Sequence, residues 1–198
     1  MAIYEVPLSL SGKMADISAE AFMDNNDPIG NFIFKDEPGS AALNKRFFRS
    51  LVTSCSPKAV REATSKDMEA ISIWFPPGLG HEEDVDADPF LPQDFTLPET
   101  PKRMQAVNDV ITALTAALGH EPQWYMHLVA VRPQFKGKGY AWRLASPILE
   151  RASAAKLPCT LITQCMDNVK TYQRWGFKVV REMAVPGSQE RFYSMRKD

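Results

Sequence analysis

Two rhythms of apolar residues run along this chain, and glycines and prolines mark where one gives way to the other. Spacing of three and four predicts amphipathic helices. Ser11 to Met23 carries Ala15, Ile17, Ala21 and Phe22 on one face, with Ser11 as its cap. Ala41 to Cys55 carries Leu43, Phe47, Phe48, Leu51 and Val52. Arg103 to Leu118 carries Met104, Val107, Val110, Ile111, Leu114 and Leu118, and Gly119 stops it. Tyr140 to Ala155 carries Ala141, Leu144, Ala145, Ile148, Leu149 and Ala152, with Pro147 inside it as a cause of bending. A short helix from Asp167 or Asn168 through Trp175 ends at Gly176. Alternating or continuous apolar runs predict strands at Ala2 to Leu10, Lys58 to Glu62, Glu69 to Phe75, Trp124 to Val131 and Cys159 to Thr163. Lys178 to Val185 and Glu190 to Arg196 read as an antiparallel pair joined through Pro186-Gly187.

Two interruptions stand out. Asn25-Asn26-Asp27-Pro28 ends the first helix, because the residue before proline is pushed out of the helical region, and Gly30 to Phe34 then continues apolar. Gly80 to Pro101 is irregular, with Pro89, Pro92, Pro98 and Pro101 and an acidic cluster of Glu82, Glu83, Asp84, Asp86 and Asp88. A loop of that length inside a compact domain is often functional, here as an acidic lid that attracts a cation. A solvated acidic loop is the plainer reading.

Composition narrows the class. With 198 residues and 44% hydrophobic content the chain can bury a substantial core. A formal net charge of -1 gives no general attraction to nucleic acid or membrane, and no apolar run is long enough to span a bilayer. The start lacks a basic segment followed by an apolar one, so a cytoplasmic enzyme is the expectation. Cys55, Cys159 and Cys165 are too few and scattered for a disulfide framework, and Cys159 and Cys165, in and after an apolar strand, read as small buried hydrophobes; with three histidines, no metal site is expected.

Chemistry concentrates after the run Leu128 to Val131. Pro133 stops that run, the turn Gln134-Phe135-Lys136-Gly137-Lys138-Gly139 follows, and a helix begins at Tyr140. Strand, glycine turn and helix together make an anion site. Gly137 and Gly139 let the backbone approach a ligand, and the first helical turn offers N–H groups without intrahelical partners. Lys136 and Lys138 add positive charge, so a phosphate or pyrophosphate suits the turn. A P-loop is excluded by the spacing and by the missing Lys-Ser/Thr pair; a dinucleotide fingerprint is excluded by Trp142 at its third glycine position.

Gln134-x-x-Gly137-x-Gly139-x-Ala141 resembles the pyrophosphate loop of GNAT-type N-acetyltransferases. Asn168-x-x-x-Tyr172-x-x-x-Gly176-Phe177 is similar to that family's second signature, one helix and one strand downstream. The resemblance runs from about Trp124 onward. Trp124-Tyr125 followed by Val131, and later Pro147-Ile148-Leu149-Glu150, is most similar to the puromycin N-acetyltransferase type. It implies an α/β (α+β) fold with a mixed, largely antiparallel twisted sheet of six or seven strands, splayed between the fourth and fifth, and helices on both faces. It implies one domain over 1–198, with acceptor-side helices in 1–57, strands, acidic loop and helix in 58–123, and an acetyl-CoA-binding half in 124–198.

The implied activity is transfer of the acetyl group of acetyl-CoA to a primary amine of a small molecule within a ternary complex. The partners are acetyl-CoA and a small amine, without nucleic acid or membrane, on a monomer or homodimer. The resemblance assigns the pyrophosphate to Gln134, Phe135, Lys136, Gly137, Lys138, Gly139, Tyr140 and Ala141. It assigns the pantetheine arm to Val129, Ala130, Val131 and Asn168, with one strand N–H as an oxyanion donor. Tyr172 stands where the family has the acid that protonates the departing thiolate. The early helices wall the acceptor side, where Phe22, Phe32, Phe34, Phe47 and Phe48 either touch substrate or form plain core. For the base, alternation puts Tyr125, His127 and Val129 on one strand face, and His127 titrates in the right range, although a lone strand histidine is often structural. Glu121 is a second candidate. Acetylation of protein lysines or N-termini, or an acetyl-CoA-binding protein without turnover, remain open alternatives.

Overall fold

A computed structural model describes residues 3–24, 27–79 and 90–198. The acidic cluster from Glu82 to Asp88 and the lid assigned to it lie outside the described residues. Among the described residues seven strands form one sheet in the order β1-β2-β3-β4-β5-β7-β6. They are β1 (Tyr4–Glu5), β2 (Val60–Ala63), β3 (Ala70–Phe75), β4 (Trp124–Val131), β5 (Cys159–Thr163), β6 (Lys178–Ala184) and β7 (Arg191–Lys197). Neighbours are antiparallel except β4 and β5, which run parallel. That parallel pair requires a crossover, and α5 (Tyr140–Ala154) provides it.

The remaining helices are α1 (Ser11–Asp24), α2 (Pro28–Ile33), α3 (Ser40–Thr53), α4 (Glu99–Ala117) and α6 (Met166–Arg174). They sort onto two faces. On one face, Met14, Ala15, Ile17 and Ala21 of α1 and Val52 of α3 pack on Ile71, Ile73, Phe75, Leu128 and Ala130. Further along the same face α2 and α4 meet Ile162 and Phe192 through Ile29, Ile33, Val107, Val110 and Leu114. The opposite face carries α5 and α6, whose Ala145, Ile148, Leu149, Val169 and Tyr172 surround Trp74, Met126, Leu161 and Tyr193. Every side chain of β3 is buried, and each large one contributes about 1.5–3 kcal/mol through burial.

Several local expectations shift. The first strand shrinks to two residues, because Pro7 leads into a 3-10 turn at Leu8–Leu10. Ser11 then closes that turn instead of capping α1, and its Oγ is buried without a partner. The apolar stretch after Pro28 is the helix α2, capped by Asp27. The described part of the Pro-rich stretch holds a 3-10 turn at Pro92–Asp94, and α4 begins at Glu99, ahead of Arg103. Cys165, not Asp167 or Asn168, is the N-cap of α6, and it makes no side-chain cap bond.

One buried carboxylate pins the start of α4. Glu37 accepts hydrogen bonds from the backbone N–H of Thr96 and Leu97 and from the Thr100 hydroxyl. Burial alone would push this carboxyl up, but these bonds outweigh it and hold it below the usual glutamate value of about 4.5. A depressed folded pKa stabilises the protein above the unfolded value, and that contribution is lost as pH falls through the folded one. Glu37→Gln should therefore lower the melting midpoint at pH 7, and the gap to wild type should shrink in acid. An equal gap at pH 7 and pH 3.5 in calorimetry would contradict this account.

Candidate functional site

The site is built where β4 leaves β5. Trp124, Tyr125 and Met126 pair with Cys159, Thr160 and Leu161, and there the ladder ends, although β4 runs on to Val131. Ile162 and Thr163 continue only on β7. Past Met126 the β5-facing backbone of β4 has no strand partner among the described residues, so a peptide-like chain can pair there. On its other side β4 carries an irregularity. Ile73 pairs with Leu128 and Trp74 with Met126, which leaves His127 as an extra residue in β4. A bulge of this kind re-aims side chains and increases local twist.

The bulge corrects the alternation argument. Tyr125 packs with the α1–α3 cluster, whereas Val129 packs with the α5–α6 cluster, so the two do not share a face with His127 between them. His127 itself stacks on Phe75, with ring centroids 4.9 Å apart and planes 12° apart. Its Nε2 lies 2.8 Å from the carbonyl oxygen of Leu51 on α3. A carbonyl only accepts, so Nε2 carries the proton and the lone pair of the neutral ring is on Nδ1.

A cavity of about 290 Å³ opens at the divergence. Tyr125, Met126, His127, Leu128 and Val129 of β4 line it, with Leu161 to Gln164 opposite and Asn168 and Tyr172 from α6. The structure thus brings Val129, His127, Asn168 and Tyr172 together. Ala130 and Val131 lie further along β4, paired with Ile71 and Ala70, and are not in the lining. Glu121 is also apart: it pairs with Arg196, whose hydrogen bond holds its carboxyl low, and among the described residues it does not reach this cavity.

Tyr172 is buried on α6, edge-on to Trp175 and Phe177. Burial, reinforced by the Cys165 thiol, pushes its phenol above the ordinary value, so it is protonated throughout the physiological range. A raised pKa weakens a phenol as an acid, but a thiolate formed in the same surroundings is raised too. The Cys159 thiol, in the same apolar cluster, is pushed up to about 12 by burial. Asn168 donates from Nδ2 to Thr163 Oγ1 at 3.4 Å, linking α6 to the end of β5.

The glycine turn lies at the far end of β4. Pro133–Phe135 forms a 3-10 turn, and Gly137 and Gly139 sit at φ of 74° and 76°, the left-handed region that glycine tolerates best. Apart from each glycine and its chain neighbours, no heavy atom of the described residues lies within 4 Å of where a Cβ would stand on either residue. The N–H of Lys136 bonds Pro133 O, and the next one with a backbone partner is that of Arg143, on Gly139 O. From Gly137 to Trp142 the N–H groups have no backbone partner outside the helix, and Gln134 and Lys136 to Gly139 are exposed. The turn is an open cradle of donors at a helix start, which fits a pyrophosphate. Lys138 Nζ sits 5.1 Å from the Phe135 ring centroid, and Phe135 meets Tyr140 edge-on. Arg143 anchors α5 by donating to Thr64 O at 3.0 Å.

Two lining residues were not singled out from the sequence. Asp27 reads there only as part of a helix stop, and Gln164 as the residue after a strand. In the fold, Gln164 Nε2 donates to Asp27 Oδ2 at 2.7 Å, while Asp27 Oδ1 accepts from the N–H of Ile29 at 3.0 Å and Gly30 at 3.4 Å. Burial pushes the Asp27 carboxyl up, against the lowering effect of those bonds. The sequence holds no signal for a contact 137 residues apart.

The family comparison fits this arrangement. The model of the acetyltransferase (GNAT) family matches residues 68–177, from β3 through α6 to Phe177. Among solved structures, the Drosophila melanogaster polyamine N-acetyltransferase is 15% identical, with a TM-score of 0.62 and 98% of each chain covered. Arylalkylamine N-acetyltransferase 2 from Aedes aegypti is 13% identical, with a TM-score of 0.63, covering 99% of this chain and 97% of that one. A Corynebacterium glutamicum structure described as histone acetyltransferase HPA2 and related acetyltransferase is 18% identical, with a TM-score of 0.61 and coverage of 99% and 94%. At these identities the likeness speaks to the fold.

Proposed function

Because the chain belongs to the acetyltransferase (GNAT) family, and is thus an acetyl-CoA-dependent N-acetyltransferase, we propose that it moves the acetyl group directly to a primary amine of a small molecule in a ternary complex. The observation that carries this reading is the divergence of β4 from β5 with Tyr172 and His127 opening onto one cavity. Structural relatives whose names specify polyamine and arylalkylamine substrates support a small amine.

Acetyl-CoA supplies an activated acyl group. The glycine turn from Gln134 to Ala141 holds its pyrophosphate by backbone donors, and Lys136 and Lys138 supply positive charge around the turn. The unpaired edge of β4 around Val129, with Ala130 and Val131 beyond it, pairs with the peptide-like arm, and Asn168 meets that arm from α6. An N–H of this edge faces the thioester oxygen and stabilises the negative charge that develops there, a contribution of roughly 10²–10³ in rate for one donor. The amine forms the new C–N bond as the C–S bond breaks. Tyr172 gives its hydroxyl proton to the leaving sulfur. The proton lost by the amine goes to Nδ1 of His127, directly or through water, while Leu51 O fixes the ring's tautomer.

A thiol-release assay with acetyl-CoA against aminonucleosides, arylalkylamines, arylamines, polyamines and peptides tests this. One or more small primary amines should be acetylated with kcat/KM at least tenfold above any peptide. Preference for peptides would move the function to protein acetylation. Acetyl-CoA binding with no turnover on any amine would leave a non-catalytic binding protein.

A further inference from the structure

Asp27 is more than its helix needs. An N-cap requires one oxygen acceptor, which Asn, Ser or Thr supplies without charge. Asp27 Oδ1 takes both capping bonds, and Oδ2 is turned instead toward Gln164. A carboxylate oxygen has two lone pairs, so Oδ2 can accept one bond more. The residue is 7% exposed, and among the described residues no Lys, Arg or His pairs with it. Burying an acid with no cation is costly unless something else provides the charge.

The surroundings say what that could be. Asp27 lines the same cavity as Tyr172 and His127, and Gln164 ties it to the end of β5 where that strand parts from β4. The rest of that wall is largely apolar. Phe22 and Phe48 stack with centroids 5.1 Å apart, Phe47 meets Phe48 edge-on at 5.3 Å, and Phe192 and Tyr125 complete the aromatic lining. Among the described lining residues Asp27 is the only carboxylate. The volume, about 290 Å³, lies at the lower end of small-ligand pockets, roughly 300–1,000 Å³.

We infer that the acceptor is a primary monoamine on a compact apolar or aromatic body, with its nitrogen received by the carboxylate of Asp27 and its body held among the phenyl rings. The inference deepens the transferase reading and rests on it for the amine's fate, not for its binding. One carboxylate matches one ammonium. A second or third ammonium, as in a polyamine, would lose hydration among these rings, and among the described lining residues no second acid replaces it. The rings also suit an aromatic body, which packs edge-on or offset against them.

The test is calorimetric binding of phenethylamine, its neutral analogue phenethyl alcohol, and spermidine to the full chain, with and without CoA. Wild type should bind phenethylamine at least about tenfold more tightly than the alcohol or spermidine, the size of one charge-assisted bond. Asp27→Asn retains an oxygen for the cap, and Gln164 can turn its amide to match. The variant should lose that margin while binding CoA as wild type does. Equal binding of amine and alcohol by wild type, a preference for spermidine, or an unchanged margin in folded Asp27→Asn would overturn the inference. If some other amine is acetylated while phenethylamine does not bind, the transferase reading stands and this one fails. If phenethylamine binds through Asp27 but no amine is acetylated, the reverse holds.

Discussion

Tyr172→Phe is expected to lower kcat by about 10²–10⁴ while leaving the affinity for acetyl-CoA nearly unchanged, because it deletes one proton donor and keeps the ring. Retaining the ring matters, since Tyr172 sits edge-on to Trp175 and Phe177 inside the apolar cluster that seats α6. Removing a partly desolvated hydroxyl should cost the fold little, and the melting midpoint provides that control. The size of the loss depends on how badly the leaving group needs a proton. In this cluster burial holds the Cys159 thiol at about 12, so a thiolate left unprotonated nearby would be a poor leaving group at neutral pH. Pre-steady-state kinetics with acetyl-CoA and calorimetric binding separate the outcomes. An unchanged chemical step would remove Tyr172 from proton transfer. Equal losses in binding and turnover would make it a positioning residue.

The parts of the fold that were legible in the sequence are those whose pattern is local. β4 and β5 match their predicted bounds, Trp124–Val131 and Cys159–Thr163, since both are apolar runs closed by a proline or a polar turn. α5 starts at Tyr140 because Gly139, in the left-handed region at φ of 76°, sets off the helical dihedrals that follow it, and α4 shows its buried face at Val107, Val110 and Leu114 as the spacing implied. The second signature gave Asn168 and Tyr172 one helical face, and α6 delivers both to the cavity. What the sequence hid was set by pairing and by long-range contact. The bulge at His127 depends on how β3 registers against β4, and it turned a single strand face into two. Asp27 looks like any helix cap until α2 is placed beside Gln164, and Glu37 looks like any loop acid until it meets Thr100 across 63 positions. Glu121 stands just before the central strand in sequence, but in space it pairs with Arg196 and is not among the described residues lining the cavity.

Gly137→Asp and Gly139→Asp are each expected to weaken acetyl-CoA binding by 100-fold or more, about 2.7 kcal/mol, with the fold retained. Both residues have φ near 75°, where a side chain is strained, and aspartate is among the types that tolerate this region best. Open space surrounds both Cβ positions, so no clash forces the chain to move. What changes is the cradle. A carboxylate would enter the place where N–H groups from Gly137 to Trp142 wait without backbone partners outside the helix, and it would satisfy them itself. It would also set a negative charge against a pyrophosphate in the field of Lys136 and Lys138. Gly137→Ala and Gly139→Ala divide these effects, since alanine brings the strain and the bulk of one methyl without charge. If strain dominates, alanine should weaken binding as much as aspartate; the charge account expects alanine to lose less than tenfold. Calorimetry with acetyl-CoA at two salt concentrations completes the test, because a loss that is electrostatic in origin narrows as the screening length shortens from about 10 Å at 0.1 M toward 3 Å at 1 M. Wild-type affinity in either folded aspartate variant would place the pyrophosphate elsewhere on the chain.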